Sequence, residues 1–239
     1  MAAMSRRCLH VSRHPRTLWS FMDRGNSAYG YAECYSQPEP PELKQVRLSA
    51  IAADPAESQK MISPLQGAFL SGFVRAQRPK SVLELGCYVG YSALWLAHGL
   101  RDTASSTKPH VWTCERDPAV ARTAVENITT AGYKHAISVL NQPAEAVLEA
   151  WNRKVDMVFI DANKSAYRQY YDMILDRELL SEHGQIIVDN VLFHGKVHSE
   201  PRSRIATKIH EFNQYVANDP RTTQVILPVF DGLMIASRA

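Results

Sequence analysis

The sequence predicts an α/β fold, a mostly parallel sheet with one antiparallel strand and helices on both faces. Three observations carry this. After Pro79, short apolar runs alternate with segments of helical spacing, so crossover helices must cover both faces of a parallel sheet. Near the C-terminus two apolar runs are separated only by Phe230-Asp231-Gly232, a short Asp-Gly link that reads as a hairpin and forces one strand to run antiparallel. The composition, 45% hydrophobic and 21% charged over 239 residues, is that of a globular chain with enough apolar side chains for one large core.

The same composition excludes several classes. A balance of 27 basic against 24 acidic residues, net +3, gives no nucleic-acid footprint. Cys8, Cys34, Cys87 and Cys114 are far apart, so neither a zinc knuckle nor a disulfide framework is indicated and a reducing compartment fits. No apolar run approaches the roughly 18 to 20 residues that cross a bilayer, so no membrane span is expected. From Met1 to Met22 the chain carries four arginines and no acid, which reads as a mitochondrial transit peptide or as a solvated basic tail. The expected location is cytoplasmic, with mitochondrial import as the alternative.

In chain order, residues 1–41 read as a basic tail and an extended arm, the arm being Gly25 to Pro41, and residues 42–239 as the folded domain. Leu43 to Ala53 has helical spacing. Met61, Leu65, Phe69 and Phe73 make a four-residue apolar repeat, with Ser63 as the cap and Pro64 at the first helical position. Strands follow at Ser81–Leu85, Val111–Glu115, Ile137–Leu140, Met157–Ile160 and Gln185–Val188. Helices are expected at about Tyr91–Leu100, after Pro118, at Ala144–Trp151, from about Ser165, and at Ile205–Val216; Val225–Val229 and Leu233–Ala236 form the hairpin.

In open α/β sheets ligands sit beyond the carboxyl ends of the strands. The first such turn, Glu84-Leu85-Gly86-Cys87-Tyr88-Val89-Gly90-Tyr91-Ser92, spaces its glycines G-x-x-x-G, unlike the dinucleotide pattern, and lacks the Lys-Ser/Thr of a phosphate loop. The second strand ends in Cys114-Glu115-Arg116-Asp117, an acid a little over 20 residues past the turn and suited to two ribose hydroxyls. Together they point to an adenosine cofactor. The alternative is that the glycines only permit close packing and Glu115 or Asp117 only caps a helix.

The fourth and fifth strands end in Asp161-Ala162-Asn163-Lys164 and Asp189-Asn190. If these strands are neighbours, Asp161, Asp189 and Asn190 converge, and the repulsion of two carboxylates calls for a hard divalent cation, Mg²⁺ better than a thiol-preferring metal. Lys164 lies one turn on, where such a cation would lower its pKa toward that of a general base. Helix capping by Asp161 and a solvated Lys164 explain these residues singly, not as a set.

The blocks Leu83–Ser92, Phe159–Lys164, Asp189–Gly195 and Leu227–Gly232, in this order, resemble the cation-dependent small-molecule O-methyltransferases, of the caffeoyl-CoA and catechol O-methyltransferase type, from about Met61 to the C-terminus. The resemblance implies a Rossmann-like fold with a seven-stranded sheet, S-adenosylmethionine as methyl donor, and a divalent metal chelating vicinal hydroxyls of a catechol or phenylpropanoid-like acceptor. It also implies residue roles: Glu84, Gly86, Cys87 and Ser92 around the methionine part of the donor, Glu115 at the ribose, and Ala144 and Ile62 at the adenine and sulfonium side. Asp161, which also faces the donor, Asp189 and Asn190 become metal ligands, Lys164 the base, and Phe193 and His194 face the acceptor. The longer members are homodimers, so a homodimer is expected. The chain departs from the pattern at Asn163, where an acid is common, at Pro228, near an acid of the catechol enzymes, and at Phe193-His194, where the plant enzymes usually have Trp-Asn. Catechol and coenzyme A thioester acceptors both stay open. Two other function classes are a methyltransferase acting on RNA or protein and a non-catalytic S-adenosylmethionine-binding scaffold.

Overall fold

The computed structural model describes residues 27–100 and 108–239; the Arg-rich Met1–Met22 segment and its targeting expectation lie outside them. Seven strands, β1 (Ser81–Leu85), β2 (His110–Cys114), β3 (Ile137–Leu140), β4 (Val155–Ile160), β5 (Leu180–Val188), β6 (Thr222–Leu227) and β7 (Leu233–Arg238), form one sheet of order β3-β2-β1-β4-β5-β7-β6. The first five run parallel, and β7 is antiparallel to both β5 and β6, as the C-terminal hairpin requires.

Eight α-helices surround the sheet among the described residues: α1 (Ser27–Tyr35), α2 (Pro41–Ala53), α3 (Pro64–Gln77), α4 (Tyr91–Gly99), α5 (Pro118–Thr130), α6 (Ala144–Ala150), α7 (Tyr167–Asp176) and α8 (Arg204–Ala217). Successive strand residues point to opposite faces, which divides the core in two. Leu83, Leu85, Val158, Ile160, Ile186 and Val188 pack on one face against Tyr167, Tyr171 and Phe212 of α7 and α8. Val82, Met157, Phe159 and Ile187 pack on the other against Leu43, Leu70, Leu94 and Trp95 of α2, α3 and α4. The cap expected at Ser63 forms: its hydroxyl accepts from Gln66 N at 3.1 Å, with Pro64 at the first helical position.

One expectation is corrected. The arm read as extended is helical over Ser27–Tyr35; its tyrosines act as helix-face residues, Tyr31 and Tyr35 stacking one turn apart at 4.4 Å. The segment after it is anchored: Glu39 makes a bidentate pair with Arg47 at 2.7 and 2.8 Å and accepts from the Tyr91 hydroxyl at 2.6 Å. Elsewhere the differences are of length, β5 beginning at Leu180 and β6 at Thr222.

The chain leaves β1 toward β2 on one side, while β4 lies on the other. The strand order therefore reverses at β1 and β4, and the crevice opens at their carboxyl ends.

Candidate active site

At the end of β1 the backbone turns sharply. Gly86 has φ +100°, and a Cβ there would stand 2.2 Å from the Asp161 carbonyl oxygen, so only glycine lets the turn press on the end of β4. Asp161 N donates to Leu85 O at 2.9 Å, closing the same contact from the other side. Tyr88 N donates to Glu115 Oε2 at 3.0 Å, and Asp117 N donates to Oε1 at 3.0 Å. Each oxygen of Glu115 thus spends one acceptor position on backbone and keeps another for a hydroxyl. Asp117 instead caps α5, accepting from Ala119 and Val120. Both acids line the cleft, but Asp117 is committed to the helix as its cap.

Glu84 is fully buried beneath the turn. The Thr113 hydroxyl donates to its Oε2, while Oε1 has no hydrogen-bond partner. Burial pushes the carboxyl up to about 8, partly offset by the Ser92 and Thr113 hydroxyls and reinforced by Asp161. The buried Cys87 thiol is likewise pushed up, first by burial and then by Glu84.

Across the turn, β4 and β5 pair through Ile160 and Val188, so Asp161 and Asp189 leave adjacent strands side by side. Asp189 is 3% exposed. Its carboxylate accepts from Asn190 N at 2.8 Å, and its carbonyl accepts from the Tyr167 hydroxyl at 3.1 Å. Burial, then the Asp161 charge, raises its pKa, against Lys164 and the Gln66 side chain. Lys164 Nζ lies 2.6 Å from Asp161 Oδ1. Burial disfavours its charge, but Asp161, Tyr167 and Asp189 outweigh that and hold the ammonium above the ordinary lysine range. The cap of the following helical turn is Asn163, which accepts from Ser165 N at 3.2 Å.

The two halves meet in a cleft of about 950 Å³, lined by Ile62, Gly86, Cys87, Ser92, Glu115, Ala144, Asp161, Lys164, Asp189, Asn190, Phe193 and His194. Every residue given a binding or catalytic role from the sequence is there except Glu84, which underlies it. Residues not singled out also line it: Tyr29 of α1, whose hydroxyl donates to Ser63 Oγ at 2.8 Å, and Gln66, Phe230 and Asp231. Gln66 is 5% exposed and was hidden because its helix reads as an apolar stripe. Asp231 was hidden inside a turn signal.

The oxygen set fits a hard cation by its chemistry. Asn190 Nδ2 donates to Asp231 Oδ2 at 3.1 Å, which leaves the amide's carbonyl oxygen open beside two carboxylates, a set that could hold a hard cation. Among the described residues no cluster of three His, Cys, Asp or Glu side chains is arranged to hold a metal.

The O-methyltransferase family profile matches residues 33–239. A catechol O-methyltransferase of Niastella koreensis is 32% identical over 186 residues, 73% of this chain and 80% of that protein. A probable caffeoyl-CoA O-methyltransferase of Dictyostelium discoideum is 28% identical over 181 residues, 72% of this chain and 75% of that protein. The SAH-bound crystal structure of the Podospora anserina methyltransferase PaMTH1 superposes with a TM-score of 0.81 at 30% identity, covering 89% of this chain and 94% of that one. With a glycine turn facing an oxygen-rich strand end, and with this match over most of its length, the chain belongs to the O-methyltransferase family.

Proposed function

We propose that the protein transfers a methyl group from S-adenosylmethionine to one hydroxyl of a small vicinal-dihydroxy aromatic acceptor held by a divalent cation such as Mg²⁺. The observation that carries this is the apposition of Gly86 and Asp161, which brings a cleft suited to an adenosine donor against a hard-oxygen set suited to a cation. Relatives support each half: PaMTH1 binds SAH, the demethylated donor, and others act, by name, on catechol and caffeoyl-CoA.

The bound donor would supply an electrophilic sulfonium methyl. A bound cation would supply charge that lowers the pKa of a phenol and fixes its oxygen. The chain's own task is alignment. Glu115 accepts from the ribose hydroxyls with the oxygen positions its backbone contacts leave open. Asp161, Asp189 and the Asn190 carbonyl oxygen hold the cation. Lys164 Nζ holds a proton against Asp161 in the free site and becomes a base when Asp161 is engaged elsewhere. Phe193, His194, Phe230 and Tyr29 give the acceptor a largely aromatic wall. A homodimer belongs to the same reading and is checked by the mass in solution.

The test is transfer from labelled S-adenosylmethionine to a panel of vicinal diphenols, including a caffeoyl thioester, with Mg²⁺ and then with excess chelator. Chelator-sensitive methylation is expected. Chelator-insensitive transfer would remove the cation, and no transfer despite donor binding would remove the acceptor class.

A further inference from the structure

The loop after β5 holds Asn190, Phe193 and His194 at φ 58°, 45° and 55°, and Phe230 faces it at φ 57°. Left-handed conformations are uncommon for non-glycine residues and persist only where the surroundings enforce them. The enforcement comes from the β6–β7 hairpin. Val191 N donates to Gly232 O at 3.1 Å and Leu192 N to Asp231 O at 3.0 Å. The Asp231 carboxylate adds two hydrogen bonds, accepting from the His194 backbone N–H at one oxygen and from Asn190 Nδ2 at the other, and the second oxygen also lies 3.7 Å from His194 Nδ1.

The second contact has a chemical direction. A carboxylate only accepts, so the Asn190 carboxamide must present its NH₂ to Asp231, and its oxygen is thereby turned to the opposite side. A carboxamide at position 231, its oxygen held by the His194 N–H, would present its NH₂ to Asn190 and draw the Asn190 oxygen away from the cation. We propose that Asp231 is a positioning residue that fixes the Asn190 carboxamide with its oxygen available to the cation. The inference rests on the cation reading above and adds to it the group that orients the third ligand. Outer contacts of this kind typically hold about 10- to 100-fold in metal affinity.

The experiment uses Mn²⁺ as the probe, with free Mn²⁺ read by electron paramagnetic resonance in the presence of saturating SAH, and with SAH affinity measured separately. Asp231→Asn is expected to weaken Mn²⁺ binding about tenfold or more while SAH affinity stays within about twofold. In an Asn190→Asp background both candidate ligand atoms at position 190 are oxygens and need no orienting, and a carboxamide at position 231 donates where the native carboxylate would repel. There Asp231→Asn is expected to leave Mn²⁺ affinity unchanged or raise it. Equal loss in both backgrounds would mean that Asp231 is itself a ligand or merely supports the loop, and no loss in the native background would mean that it orients nothing; either overturns the proposal. If Asp231→Asn alone loses SAH binding, the swapped pair decides: restored Mn²⁺ and SAH binding supports the proposal, and failure overturns it. Native protein that binds SAH but no Mn²⁺ removes the cation reading along with this one, whereas native Mn²⁺ binding without the background dependence removes this one alone.

Discussion

The two halves of the cleft are held by different parts of the sheet. On the side read as the donor site, the sharp turn takes left-handed backbone at Gly86, Tyr88 and Gly90 and presses on the end of β4, and the contacts of Glu115 come from the Tyr88 and Asp117 backbone. On the side read as the acceptor site, Asn190, Phe193 and His194 take left-handed conformations that cost on the order of 1 kcal/mol or more each, and a hairpin about 40 residues downstream holds them there. The first half leans on the ends of β2 and β4. The second leans on the β6–β7 hairpin, so strain there is expected to reach the acceptor side before the donor side.

The largest test of this division compares two glycines. Gly86→Ala places a methyl against the Asp161 backbone at a left-handed position and is expected to cost about 3 kcal/mol in denaturant unfolding and to abolish SAH binding. Gly232→Ala, whose Cβ would stand 2.4 Å from Leu192 Cγ, strains the hairpin instead and is expected to lose cation binding while SAH binding survives. If both variants lose SAH binding alike, the halves are not separable.

Next in size are the charged groups. Asp189→Ala is expected to abolish cation dependence and turnover, and Lys164→Ala to lower turnover about 100-fold, each with SAH affinity within about threefold in calorimetry. Full activity of either variant removes its role.

A third test reads the buried acid under the turn. Glu84 titrates at about 8 when folded against an ordinary 4.5, so between these values the folded chain keeps a proton that the unfolded chain has lost. Its contribution to stability is complete below the lower value and is lost as the pH rises through the upper one. The thermal midpoint should fall from pH 5 to 8 more steeply than in Glu84→Gln; parallel profiles would contradict the raised value. The smallest effect is expected at Phe193→Ala, a rise of about tenfold in acceptor KM with kcat and SAH affinity unchanged.

The strand ends were the legible part of the site. The glycine turn, the acid after β2 and the oxygens after β4 and β5 could be read because each lies directly at a strand end, where period and residue type are informative. Distant pairing could not be read. Asp231 looked like a turn residue, which it is, and nothing in its neighbourhood names Asn190 as its partner. Gln66 was masked by an apolar helix face, and the helix over Ser27–Tyr35 by glycines, serines and prolines that favour irregular backbone until Tyr29 reaches Ser63.

The bidentate contact between Glu39 and Arg47, closed by the Tyr91 hydroxyl, bears on any attempt to recombine this chain with its relatives. Tyr91 opens the helix behind the glycine turn, so a chimaera that imports a foreign leader without residue 39 would strand a guanidinium and a phenol next to the donor cleft. Positions 39, 47 and 91 form one hereditary unit, to be exchanged together or left alone.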